Sequence, residues 1–311
     1  MRGLYLSLSA LVLVTAACST EVDAEGAAVQ DIIAPPAGDG TYRVAVSADP
    51  VQAGETSRLT LRVVDPNGRQ VKEFDDLHTQ PMHFVAVSSD LKSFLHLHPA
   101  LEANGSLIVD APITASQPYK LFFEYDPKGP ATAQTSTSSL APEGAAAVAP
   151  NLAAGPIFSG NALRYTIADD TRVELQPIPH GMIMPGMAAT LKVAIKTLAG
   201  APATDMVDWL GMPGHAIVLS EDSSTFIHAH GMPAGSGGHG GHGGHDMPAA
   251  PATGHGGHGG HGTTPPAAGS TASVLDVEVT LPKAGLYKMF MQVKRGDRVI
   301  TAPFVLRATA M

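Results

Sequence analysis

Two sets of three histidines recur in one pattern: His83 with His96 and His98, and His215 with His228 and His230. Neutral imidazole suits zinc, copper and other late first-row ions, and three of them hold a metal while leaving a coordination position open. A lone histidine on a strand is usually a surface or hydrogen-bonded residue, so the case rests on spacing. A two-residue loop at Asp90-Leu91 sets His83 opposite His98 and Val85 opposite His96. Residues two apart on a strand share a face, as do directly opposed ones, so all three rings project on one side. Opposed Cβ atoms stand roughly 5 Å apart and diagonal ones roughly 7 to 8 Å, within reach of a common ion at about 2 Å per bond. A loop at Asp222-Ser223 does the same for the second set. A slip of one residue in either register would send His83 or His215 to the far face. That far face carries Phe84, Ala86, Leu95 and Leu97 in one set and Ala216, Val218, Ile227 and Ala229 in the other, an apolar stripe for a core.

Of the 14 histidines, six more (His239, His242, His245, His255, His258 and His261) lie in a Gly-Gly-His tract. Such a tract buries no apolar surface; it is expected to be disordered without metal and to capture Cu(II), Zn(II) or Ni(II) loosely. His180-Gly-Met182-Ile-Met184-Pro-Gly-Met187 adds thioethers, soft donors that suit Cu(I) rather than zinc. No acid or base partner is evident beside either triad.

The elements that must position these residues come from an internal repeat. Residues 54–99 match 186–231 without a gap, with 11 identities in 46 positions, among them His83/His215, Ser88/Ser220, Asp90/Asp222, Phe94/Phe226, His96/His228 and His98/His230. The match resumes at Tyr119-Lys-Leu-Phe122 against Tyr287-Lys-Met-Phe290, now offset by 168 rather than 132, so the second copy holds 36 more residues. The tract, 231–269, is therefore a loop inside the second domain. Short β-branched runs punctuated by turns such as Asp65-Pro-Asn-Gly68 predict an all-β chain of two tandem immunoglobulin-like antiparallel sandwiches, with a barrel as the alternative. The expected domains are 40–128 and 161–311, joined by an unstructured Ala/Pro/Thr-rich linker over 129–160.

With 33 Gly and 25 Pro in 311 residues and no long apolar 3.6-residue period, a helical bundle is excluded. The formal charge of −9, without a basic patch, argues against nucleic acid. Residues 1–17 read as an export signal, with Arg2, an apolar run from Leu4 to Val14 and small residues before Cys18. Cys18 is the sole cysteine, so no internal disulfide forms; it is the expected lipidation point, with plain cleavage to a soluble periplasmic protein as the alternative. Residues 18–39 read as a flexible tether.

Met82-His83 to His96-Leu-His98-Pro99, followed by Tyr119-Lys-Leu-Phe122, resembles a secreted immunoglobulin-like domain common near heavy-metal resistance functions. The Met-x-Met-Pro-Gly-Met run is similar to methionine-rich loops of periplasmic copper-resistance sandwiches. Those proteins place a histidine at the mature N-terminus and none stands near Cys18, so that site is not carried over. The resemblance implies a non-enzymatic copper chaperone, buffer or resistance protein, periplasmic or anchored to the outer membrane by its lipid. Its partners would be metal ions and a metal efflux or delivery protein. Zinc at the same sites, or a purely structural surface sandwich, are the alternatives.

Overall fold

The computed structural model describes residues 30–32, 41–129, 132–236 and 272–310. Ten strands form the first domain: β1 (Gln30–Ile32), β2 (Arg43–Ala48), β3 (Glu55–Val64), β4 (Phe74–Asp75), β5 (Met82–Ser88), β6 (Phe94–Leu97), β7 (Ala100–Leu101), β8 (Leu107–Ile113), β9 (Tyr119–Pro127) and β10 (Gln134–Leu140). A 3-10 turn (Leu152–Ala154) then leads into β11 (Ile157–Phe158), β12 (Arg164–Ala168), β13 (Thr171–Leu175), β14 (Ala188–Thr197), β15 (Met206–Val207), β16 (Gly214–Ser220), β17 (Phe226–Pro233), β18 (Val274–Thr280), β19 (Gly285–Arg295) and β20 (Arg298–Ala308). No helix among the described residues is long and apolar enough to cross a membrane.

The first domain is a sandwich of sheet β1-β2-β3-β8-β7 on sheet β10-β9-β5-β6, with β4 paired to β9. Its core gathers Val46, Leu59, Leu61, Phe84, Leu107, Leu121 and Phe123. In β3 burial alternates, with Leu59, Leu61 and Val63 inside and Arg58 and Arg62 outside, as a strand with one wet face requires. The second domain repeats the plan. Here β17 pairs β16 through Gly231 and then β18 through Pro233, so the two layers join into one 10-stranded sheet. In the first copy Pro99, which lacks a backbone N–H, stands where Gly231 stands and separates β6 from β7. The chain is thus all-β, two tandem immunoglobulin-like sandwiches.

The linker expectation is corrected. Residues 134–140 form β10, the last strand of the first sandwich, paired to β9 from Gln134↔Tyr125 to Leu140↔Tyr119. Its Ser and Thr residues read as a connector by composition, yet alternating Thr suits a half-exposed strand. The connection proper is shorter, and it too carries the 3-10 turn and β11, which runs parallel to β20. Within the expected tether, β1 pairs β2. The export signal, Cys18 and the six tract histidines lie outside the described residues.

The domains pack against each other through the outward faces of β5, β6 and β9 and of β16, β17 and β19. Val85, Val87, Leu91 and Phe122 meet Ile217, Leu219 and Phe290 in a third apolar cluster. Phe94 stacks on Phe290 at 4.2 Å and Phe122 on Phe226 at 4.5 Å, both with rings 13° from parallel. Because Phe94 corresponds to Phe226 and Phe122 to Phe290 in the repeat, the interface is isologous about a pseudo-twofold axis.

Candidate metal centre

Each triad is aimed by a hairpin whose turn is fixed by the Ser-x-Asp shared between the copies. Ser88 Oγ donates to Asp90 Oδ1 at 2.7 Å, Asp90 Oδ1 accepts from the Lys92 amide, and the Ser93 amide donates to Ser88 Oγ. Ser220 and Asp222 repeat this, and the donated bonds from Ser220 and Ser224 hold the Asp222 carboxyl down to about 2. Leu91 and Ser223 take the left-handed conformation this turn needs. The turns give β5–β6 the register Val85↔His96 and β16–β17 the register His215↔His230, as the sequence predicts. Phe84, Ala86, Ala216 and Val218 consequently face the cores.

In the first triad His83 Nε2 donates to the Leu77 carbonyl at 2.9 Å, and His96 Nδ1 donates to Gln292 Oε1 at 2.8 Å. Gln292 keeps that orientation by donating its amide to Thr301 Oγ1. Each neutral ring has one proton, so His83 Nδ1 and His96 Nε2 are both lone pairs, and they face each other at 3.1 Å. His98 Nε2 closes the group, 3.2 Å from His83 Nδ1. With bonds of about 2 Å, nitrogens so spaced subtend roughly 100° at a shared ion, close to tetrahedral. Burial pushes His83 down to about 4 and His98 to about 3, and drives His96 well below the ordinary imidazole range, so all three are neutral at pH 7.

The second triad repeats the arrangement. His215 Nε2 donates to the Trp209 carbonyl at 3.0 Å, and His215 Nδ1 faces His228 Nε2 at 3.1 Å. His228 Nδ1 donates to the Glu124 carboxylate, with the His228 side chain 3 % exposed. His230 Nε2 is buried and has no hydrogen-bond partner among the described residues. Burial lowers His215 to about 4 and carries His228 and His230 well below the usual range. Both triads could hold a metal ion: in each, the three donor atoms lie within 4.8 Å of one another.

The holding residues are exchanged between domains. Gln292 of the second domain orients His96 of the first, and Glu124 of the first orients His228 of the second. A carboxylate therefore does stand against a triad, contrary to the sequence expectation. The signal was available: Glu124 and Gln292 lie two residues past the matched Phe122 and Phe290, on the same face. Two further groups were missed. His78 lies 4.1 Å from the His230 ring, and Trp209, the only tryptophan, lies 5.1 to 5.8 Å from His215, His96 and His98. Their loops touch, since a Cβ on Gly211 would sit 3.5 Å from Thr79 Cγ2.

The methionine segment is not brought to the triads. His180, Met182 and Met187 are exposed in the β13–β14 loop, where Ile183 bridges to Ala308. Ala308 pairs Gly285 while His215 pairs Gln292, so seven residues of β19, roughly 23 Å of strand, separate the two places.

A family model described as a domain of unknown function, DUF8832, matches residues 36–140 and 166–310, most of the chain. The chain belongs to the DUF8832 family. Each matched stretch of this DUF8832 chain carries one triad. No curated protein matches it. Among solved structures it is similar to the Escherichia coli adhesin FdeC (12% identity, 89% of this chain and 66% of that one, TM-score 0.23) and to the bacterial integrin-binding protein invasin (12%, 87% and 40%, TM-score 0.23). It is also similar to a chimeric titin Z1Z2 tandem (12%, 89% and 100%, TM-score 0.18). The DUF8832 chain spans less than two thirds of the adhesin and of invasin.

Proposed function

We propose that this protein is an exported, non-enzymatic copper-binding protein, anchored through a lipid on Cys18 at the periplasmic side or in the outer membrane. The observation that carries the reading is the pair of lone-pair contacts, His83 Nδ1 to His96 Nε2 and His215 Nδ1 to His228 Nε2, both 3.1 Å. Two acceptors held together with their protons fixed on the outer sides repel each other until a cation stands between them. Glu124 is engaged by His228, which supports an orienting role rather than that of a general base, and so a binding site rather than a hydrolytic one. The Gly-Gly-His tract, which leaves the strand carrying His228 and His230, would buffer ions. The His180–Met187 loop would take Cu(I) separately, and an efflux or delivery protein would receive the ion.

Zinc is the second reading, favoured by one observation: a carboxylate-backed histidine is a common zinc arrangement. Trp209 separates the two. Cu(II) bound at the triads is expected to quench its fluorescence strongly and to give a visible d-d band, whereas Zn(II) should do neither. Metal analysis of protein purified from its native compartment identifies the resident ion, and zinc alone there would overturn the copper assignment. Loss of Met182, Met184 and Met187 should weaken Cu(I) binding; unchanged Cu(I) affinity would remove the loop from the reading. Should no metal raise the melting temperature, a structural sandwich would be the better description, since an ion at about 100 times its Kd stabilises a fold by about 2.7 kcal/mol.

A further inference from the structure

The two triads do not lie apart. His83 stands 5.2 Å from His228 and 6.5 Å from His215, and His96 stands 5.3 Å and 5.8 Å from the same two rings. Within each triad the corresponding pairs, His83–His96 and His215–His228, are 5.4 Å apart. These four rings form a near-regular tetrahedron whose two pair edges have midpoints about 4 Å apart, and each ion would sit about 2 Å from its nitrogens on the side of His98 or His230. An ion about 2 Å from two nitrogens 3.1 Å apart lies about 1.3 Å off their midpoint, so two ions so held would stand between about 4 and 7 Å apart, the near end meeting the 3.5 to 4 Å typical of two-metal sites. Six neutral imidazoles offer no charge, and Glu124 is a carboxylate hydrogen-bonded to one of them. Two divalent ions there leave a large uncompensated positive charge in a buried place.

We propose that the triads are one binuclear centre built across the domain interface, which takes two copper ions and a small bridging anion of the hydroxide or halide class. This rests on the reading of the triads as copper sites. Because Glu124, which also stands opposite His83, hydrogen-bonds a ring of the second triad while uncharged Gln292 bonds one of the first, the second triad fills first.

The test uses the full chain with the six tract histidines replaced by serine, titrated with Cu(II) alone and followed by electron paramagnetic resonance. One equivalent should give an ordinary isolated Cu(II) signal. The second should broaden it, bring the integrated intensity below twice the first value and produce a half-field transition. His215→Ala should abolish the coupling and leave one isolated signal. Added azide or chloride should change the two-copper spectrum and leave that of His215→Ala unaltered. Two equivalents giving exact doubling, with no half-field transition, would overturn the binuclear centre while leaving copper binding intact. Cu(II) bound no more weakly after His83→Ala and His215→Ala together would overturn the copper sites and the centre with them. Glu124→Gln should weaken the first-filled site by 10- to 100-fold; an unchanged filling order would overturn the assigned order.

Discussion

Glu124 and Gln292 hold equivalent places on β9 and β19 and differ by one charge, so the two triads differ in how basic their oriented imidazole is. Gln292→Glu should raise the affinity of the first triad by about 10-fold or more, because a carboxylate makes the oriented ring a better donor; titration of Trp209 fluorescence reads the change, and equal affinities before and after would contradict it. The depressed imidazoles also govern stability. Between pH 6.5 and about 4 the unfolded chain takes up protons at His83 and His215 that the folded chain refuses. Unfolding free energy of the metal-free protein should therefore fall as pH drops through that window, by up to about 1.4 kcal/mol per pH unit for each histidine, and be insensitive to these groups above it. Urea unfolding at pH 7.5, 6.0 and 5.0 measures this, and a flat profile would contradict it. At this scale the six triad ligands were legible, because type and spacing alone bring them together. Glu124 and Gln292 were marked only by their place two residues past matched aromatics, and His78 and Trp209 not at all, since each comes from the other domain or from a loop.

At the scale of elements, the identities that carried most information were structural. Ser88 and Asp90 matched Ser220 and Asp222 because they make the turn, and the turn sets which side chains share a face. Strand β5 was half read: Phe84 and Ala86 gave the core face, but Val85 and Val87, which alternate with them, are buried too. A strand apolar on both faces is covered on both, and that pattern was the unread sign of a second sandwich beside the first. β10 was missed because its pairing partner is distant and its polar composition imitates a linker. Gly214 is the sensitive point near the second triad. A Cβ there would lie 2.7 Å from Met291 Cε, 2.9 Å from Leu275 Cδ1 and 3.2 Å from the Gln292 carbonyl. Gly214→Ala should cost about 1 to 3 kcal/mol through overpacking and weaken metal binding by displacing His215 and Gln292 together, while Gly54→Ala, which meets no atom within 4 Å, costs what its left-handed conformation alone demands. Thermal unfolding and a metal titration of the two variants separate the effects.

For the whole molecule, fold class and repeat were readable because alternation and self-similarity are properties of one chain laid against itself. The docking of the copies was not, because an isologous face shows in one copy only as apolar residues among the histidines. Phe122 is 2 % exposed and stacked on Phe226. Phe122→Ala should remove about 3 kcal/mol or more of packing, partly release the domains from each other and enlarge the radius of gyration of the metal-free protein in small-angle scattering. Metal should restore much of the compact form, and an unchanged radius without metal would argue that other contacts hold the interface. The touching loops at Thr79 and Gly211 have a consequence for rate rather than affinity. Leu77–Thr79 of one domain and Trp209–Gly211 of the other carry the carbonyls that hold His83 and His215, and they meet beside the triads, so parting the domains would loosen both backbone acceptors at once. Release of a bound ion should then quicken as the halves open more often, and a chelator-driven release rate left unchanged by Phe122→Ala would contradict this.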